Sequence, residues 1–148
     1  TAGGAAEGVI YSMLEKKPSE LILTNRTIEK SNVIQNKMDV HAKSFDVHLN
    51  VIDIAKCPHQ YFDLIINATS ASLSDDALHM DPKVFHKGSL AYDMMYGKET
   101  SFIEQAKSQG SKTSDGLGML VEQAAEAFFI WHQIQPTTKS VIESLRSH

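Results

Sequence analysis

Thr1-Ala2-Gly3-Gly4-Ala5-Ala6-Glu7-Gly8 opens the chain and reads as a glycine-rich turn running into a helix over 5–16. Val9, Ile10, Met13 and Leu14 fall on the inner side of that helix. The turn has the form G-x-G-x-x-A with Thr1 in the first glycine's place, Gly3 where backbone approaches a phosphate, and Ala6 where the helix packs on a sheet. Such a turn works by following a buried strand, so that backbone N–H groups at a helix N-terminus converge on the ligand. No strand and no initiator methionine precede it, so the reading expects a truncation that removed a first strand. A flexible Gly/Ala-rich terminus is the plain alternative.

Outward from the turn, strand and helix alternate. Glu20-Leu-Ile-Leu-Thr24 has the length and character of a buried parallel strand and ends at Asn25-Arg26-Thr27. A helix is expected over 28–38, a strand over 47–54, an irregular piece at Cys57-Pro58 and a strong strand over 62–67. A polar loop over 68–76 follows, then a strand over 89–93, an amphipathic helix over 100–109 stopped by Gly110, and a last strand over 111–114. This order predicts an α/β fold, a Rossmann-like doubly wound parallel sheet lacking its first strand, with ligands at the carboxyl ends of its strands. Residues 1–115 read as the sheet domain and 116–148 as carboxyl-terminal helices.

The helix expected over 117–134 is apolar on most sides. Leu117, Leu120, Val121, Ala124, Phe128 and Trp131 form one stripe, Met119, Ala127 and Ile130 lie beside it, and Glu122 and Glu126 mark the wet edge. An arc that wide needs a second covering surface. A short final helix after Pro136 carries Val141, Ile142 and Leu145.

Composition narrows the classes. With 148 residues, 42% hydrophobic and 22% charged, the chain can bury a core, which excludes disordered and fibrous proteins. A net charge of -4 with dispersed Lys and Arg lacks the footprint of a nucleic-acid binder. The single cysteine, Cys57, permits no intrachain disulfide, and the seven histidines show no zinc spacing. No apolar run approaches ~20 residues and no secretory signal opens the chain, so a soluble, cytoplasmic protein without membrane contact is expected.

A dinucleotide fold usually places an acidic residue about 20 residues past the glycine turn, to accept from the adenosine ribose. Here Asn25-Arg26-Thr27 stands there, with Lys30 one turn into the next helix. A guanidinium forks onto a phosphate and stacks on adenine, and Lys30 adds a second positive charge, so these residues select NADP over NAD. An ordinary polar helix cap is the alternative. Asn67-Ala68-Thr69-Ser70 and Tyr92-Asp93-Met94-Met95-Tyr96 end strands beside the expected cofactor path. Met94 is placed to pack on a nicotinamide and Tyr96 to reach a polar substrate, with core packing the plainer reading. Asp115 is the expected N-cap of the long helix, and the Gln123 amide, on an apolar side, is expected to need a partner. Asp93 and the histidines lack the paired partners of an acid–base centre, and Cys57 reads as a small buried apolar group. His41, His48, His59, His79, His86 and His132 read as surface or loop residues.

Together these motifs resemble shikimate dehydrogenase, in its carboxyl-terminal NADP-binding domain. The matches are Ala2-Gly3-Gly4-Ala5-Ala6, Asn25-Arg26-Thr27 with Lys30, Ile66-Asn67-Ala68-Thr69-Ser70-Ala71, Tyr92-Asp93-Met94 with Tyr96, and Asp115-Gly116-Leu117-Gly118-Met119-Leu120-Val121 with Gln123-Ala124-Ala125. Departures are Thr1 and Ser72, where the family has glycine. The resemblance implies reduction of 3-dehydroshikimate to shikimate with NADPH, toward chorismate and the aromatic amino acids. It implies that Thr1, Ala2, Gly3, Gly4 and Ala5 hold pyrophosphate, that Asn25, Arg26, Thr27 and Lys30 hold the 2′-phosphate and adenosine, and that Thr69 and Ser70 line the groove. Met94 and Gly116 would border the nicotinamide, while Tyr96 and Gln123 would face shikimate. The catalytic Lys and Asp would belong to an absent amino-terminal domain, against which the last helices pack, so the chain alone would not turn over. The rival expectations are a quinate/shikimate dehydrogenase with relaxed substrate or cofactor use, and a non-catalytic nucleotide-binding module that forms a homodimer.

Overall fold

Glu20–Asn25 forms β1 and pairs in parallel with β2, His48–Asp53, in the register Glu20↔His48 through Asn25↔Asp53. These contacts come from a computed structural model, which describes residues 4–57, 60–69 and 80–147. The crossover between the two strands is α2, Ile28–Phe45, which packs on both. α1, Gly4–Leu14, packs against α2. Ile10, Leu14, Ile34, Ala42, Val47 and Leu49 form the core here, with Leu21, Leu23, Met38 and Phe45 at its margin. Leu14 is wholly enclosed, and burying such a side chain stabilises a fold by roughly 1.5–3 kcal/mol.

α2 runs seven residues past the end expected at Met38. Ile34, Met38, Ala42 and Phe45 continue one face at helical spacing, and that face covers the core. The helix stops at Asp46, which adopts a left-handed conformation (φ 58°) and donates its N–H to the carbonyls of Ala42 and Lys43. Tertiary burial of Ala42 outweighs the β-branched, exposed Val40, whose low helix propensity favours an earlier end.

The second group of strands is β3, Leu64–Asn67, β4, Leu90–Asp93, and β5, Lys112–Ser114, parallel throughout in the order β3-β4-β5. α3, Ser101–Ser108, crosses from β4 to β5 and packs on both. The Thr100 hydroxyl caps it by accepting from the Ile103 N–H at 3.4 Å. It ends at Gly110, whose φ of 79° suits glycine. Val84, Phe85, Ala91, Phe102, Ile103 and Ala106 form this group's core.

Among the described residues the strands form two parallel sheets, because β1 and β3 share no ladder. A doubly wound order puts one more strand between them, in keeping with the expected sheet that lacks its first strand. β1 and β3 each keep an edge without a strand partner among the described residues.

α4, Leu117–His132, ends two residues short of the expected boundary, at Gln133 in a left-handed conformation. It packs with α5, Thr138–Arg146. Only Leu117, Val121 and Ala125, spaced four apart, are buried along α4. Leu120, Ala124, Phe128, Ile130 and Trp131 are exposed, so the wet edge marked by Glu122 and Glu126 is far from the only one. No helix among the described residues is long and apolar enough to cross a membrane.

Candidate functional site

Parallel registry carries Asn25, Asn67, Asp93 and Ser114 to the carboxyl ends of their strands, where a sheet of this kind binds ligands. At the β1 end, the Asn25 side-chain oxygen accepts from the Thr27 N–H at 3.2 Å. That bond shapes the turn into α2, whose first turn follows Thr27. Arg26, Thr27 and Lys30 are exposed around this turn. Thr27 takes the N-cap position without a side-chain cap bond, so its hydroxyl is not spent on the helix. No carboxylate occupies positions 25–27, and two cations flank the helix N-terminus, a combination that attracts an anion.

At the β3 and β4 ends the geometry is buried and interlocked. Asn67 and Asp93 are paired across the ladder, and both are almost fully enclosed. The Asn67 oxygen accepts from the Thr69 N–H at 3.1 Å and hydroxyl at 2.8 Å, while its amide donates to Asp93 at 3.3 Å. Asp93 also accepts from the Thr100 hydroxyl at 2.6 Å and from the Met95 N–H at 3.0 Å. These partners are a neutral amide, a hydroxyl and a backbone N–H, a structural network rather than the acid–base pair that the sequence also lacked.

Met94 and Gly116, assigned to one face of the nicotinamide, do lie together. The Gly116 N–H donates to the Met95 carbonyl at 3.0 Å, and a Cβ at position 116 would stand 2.1 Å from the Met94 carbonyl oxygen. Gly116, at an ordinary φ of -78°, is thus required for close approach and not for conformation. It is also the N-cap residue of α4, a place expected for Asp115. Asp115 instead accepts from the Leu117 N–H at 3.3 Å and pairs with Arg146 of α5 at 3.1 Å, tying the last helix to this turn. Met94 is half-buried and Tyr96 exposed. Gln123 is also exposed on α4.

Burial first, and the Asp115 carboxylate second, push the Tyr92 phenol above its ordinary range. Burial first, and Asp81 second, do the same to the half-buried Cys57 thiol, which is therefore a poor nucleophile. His41, His48 and His132 are exposed and His86 is half-buried. Thr1, Ala2, Gly3, His59, Ser70, Ser72 and His79 lie outside the described residues, as do the side-chain surroundings of Gly4 and Ala5, whose backbones begin α1. The sequence reading missed the Asn67–Asp93–Thr100 network. Its signal was available as polar residues ending two adjacent apolar strands, Leu-Ile-Ile-Asn67 and Leu-Ala-Tyr-Asp93.

Residues 116–146 match the family described as Shikimate 5'-dehydrogenase C-terminal domain. Over 148 aligned positions the chain is 46% identical to Shikimate dehydrogenase (NADP(+)) of Legionella pneumophila strain Corby, covering 99% of this chain and 52% of that protein. The crystal structure of an Ael1 enzyme from Pseudomonas putida superposes with a TM-score of 0.85 at 40% identity, covering 98% of this chain and 52% of that one. Shikimate 5-dehydrogenase from Thermus thermophilus, solved in complex with NADP(H) and shikimate, superposes with a TM-score of 0.76 at 27% identity, covering 99% and 52%. The chain spans about half the length of these relatives. Along its length the chain is similar to about half of a protein named Shikimate dehydrogenase (NADP(+)), and residues 116–146 carry the match to the C-terminal domain family.

Proposed function

We propose that this chain is the NADP-binding half of a shikimate dehydrogenase that reduces 3-dehydroshikimate to shikimate with NADPH, on the route to chorismate and the aromatic amino acids. The observation that carries the reading is the turn after β1, where Asn25-Arg26-Thr27 and the exposed Lys30 replace the acidic residue that would select NAD. The likeness to a Thermus thermophilus enzyme solved with NADP(H) and shikimate supports it.

On this reading the residues present fit the cofactor at both ends. Arg26 and Lys30 would hold the 2′-phosphate and adenosine, with Asn25 and Thr27 setting the turn. The glycine turn over residues 1–5 would hold pyrophosphate, with Thr69 and Ser70 along the groove. Met94 and Gly116, seated closely on each other, would border the nicotinamide. When bound, NADPH supplies the hydride. Tyr96 and Gln123 present a hydroxyl and an amide, both open to solvent, for substrate hydroxyls. The proton is handled by the Lys and Asp of an amino-terminal domain. Orientation is this chain's contribution to rate.

Residues 1–115 act as the cofactor domain and 116–148 as the bridge to the catalytic domain. Trp131, Ile130 and Ile134 are each at least 60% exposed, an apolar face suited to that contact.

The test is a calorimetric titration of the folded protein with NADPH and with NADH. Binding of NADPH at least about tenfold tighter is expected, equivalent to about 1.4 kcal/mol. Equal affinities, or a folded protein that binds neither, would overturn the proposal.

A further inference from the structure

We propose that Asp93 is a positioning residue that fixes the nicotinamide wall through its buried carboxyl group, an inference that rests on the cofactor reading above. Three donors from three segments converge on its two oxygens. The Asn67 amide comes from the end of β3, the Thr100 hydroxyl from the cap of α3, and the Met95 N–H from the turn after β4.

Each bond passes its constraint onward. The Met95 carbonyl accepts from Gly116 at 3.0 Å, and Gly116 rests on the Met94 carbonyl, so the turn held by Asp93 also seats the start of α4. Asn67 holds Thr69 through two bonds, and the Asn67 carbonyl accepts from the Met94 N–H at 3.0 Å. One side chain therefore constrains Met95, Met94, Thr69 and the N-terminus of the helix bearing Gln123. It acts through these neighbours, being itself only 1% exposed. All three of these partners donate, and the site accordingly requires a side chain with two acceptor oxygens. A buried network of this kind holds a unique geometry because a displaced member leaves a polar group without a partner.

Asp93→Asn keeps the volume but carries one acceptor and one donor, so a donor from β3 or from the turn loses its bond. The experiment compares wild type and Asp93→Asn in a two-domain enzyme carrying this chain as its carboxyl-terminal half. Melting temperature, affinity for adenosine 2′,5′-bisphosphate, kcat and the shikimate KM are measured. The bisphosphate probes only the Arg26 end of the groove. The expected result is a folded variant with bisphosphate affinity within about twofold of wild type and kcat lower on the order of 100-fold, the effect of roughly 1 Å of misplacement. An unchanged kcat overturns the inference. So does a bisphosphate affinity that falls in step with kcat, because that marks general loss of structure.

Should Asp93→Asn fail to fold, Thr100→Val removes one donor and leaves Asp93 in place, and the same two outcomes decide. A wild-type protein that neither prefers NADPH nor oxidises shikimate removes the cofactor reading and this inference with it. A wild type that does both, beside an unaffected variant, removes the inference alone.

Discussion

The turn after β1 and the strand ends of β3 and β4 serve the two ends of one proposed cofactor, yet they are built in opposite ways. At β1 the working groups are exposed, charged and adjacent in sequence: Arg26, Thr27 and Lys30 need only a strand end and a helix start to be placed. At β3 and β4 the outer residue Met94 hangs from a buried network whose members are 26 and 7 residues apart. Phosphate recognition tolerates flexible cations because charge acts over several ångströms. A hydride donor tolerates far less displacement, so on the proposed reading the interlocked network lies at the end where the geometry of reaction is set.

Three substitutions test that contrast in the two-domain enzyme. Gly116→Ala has the largest expected effect, because the new Cβ would meet the Met94 carbonyl oxygen at 2.1 Å and backbone must move. Turnover falls on the order of 100-fold while adenosine 2′,5′-bisphosphate binds as before. If turnover persists, the close seating of Gly116 on Met94 is not part of the nicotinamide wall. Arg26→Ala comes next and inverts the pattern, with NADPH affinity down about 10- to 100-fold, NADH affinity little changed, and bound-state turnover largely kept. This range corresponds to loss of charge-assisted hydrogen bonds worth about 1.5–3 kcal/mol. An unaltered preference for NADPH over NADH rejects Arg26 as the selecting residue. Gln123→Ala is the mildest: the exposed amide contributes one hydrogen-bonding group, so the shikimate KM rises up to about tenfold and NADP affinity stays as it was. Weakened NADP binding with an unchanged shikimate KM would assign Gln123 to the cofactor instead.

The two ends also differ in how far the sequence disclosed them. Asn25-Arg26-Thr27 could be placed because strand, turn and helix follow one another within a few residues. Local pattern could not bring Met94 and Gly116 together, since they stand 22 positions apart with a crossover helix between them, and only the family resemblance paired them. The network around Asp93 was hidden because the neighbouring strand places Asn67 beside it and α3 turns the Thr100 hydroxyl inward. Asp115 looked like the helix cap, and the structure gives that position to Gly116 and turns Asp115 toward Arg146, 31 residues on. The sequence placed Gln123 on an apolar side of α4, but whether it is covered depends on what packs there.

By itself the sequence determined the alternation of strand and helix, the parallel arrangement that alternation requires, and the cationic turn after β1. Those properties follow from local periodicity and side-chain chemistry, which act between near neighbours. Tertiary structure alone decided how far α2 extends, which stripe of α4 is buried, and that one buried carboxyl group gathers Asn67, Thr100 and Met95. The physical reason is that burial and hydrogen-bond satisfaction depend on which distant segments meet, and a buried polar group acquires its partners only when they do.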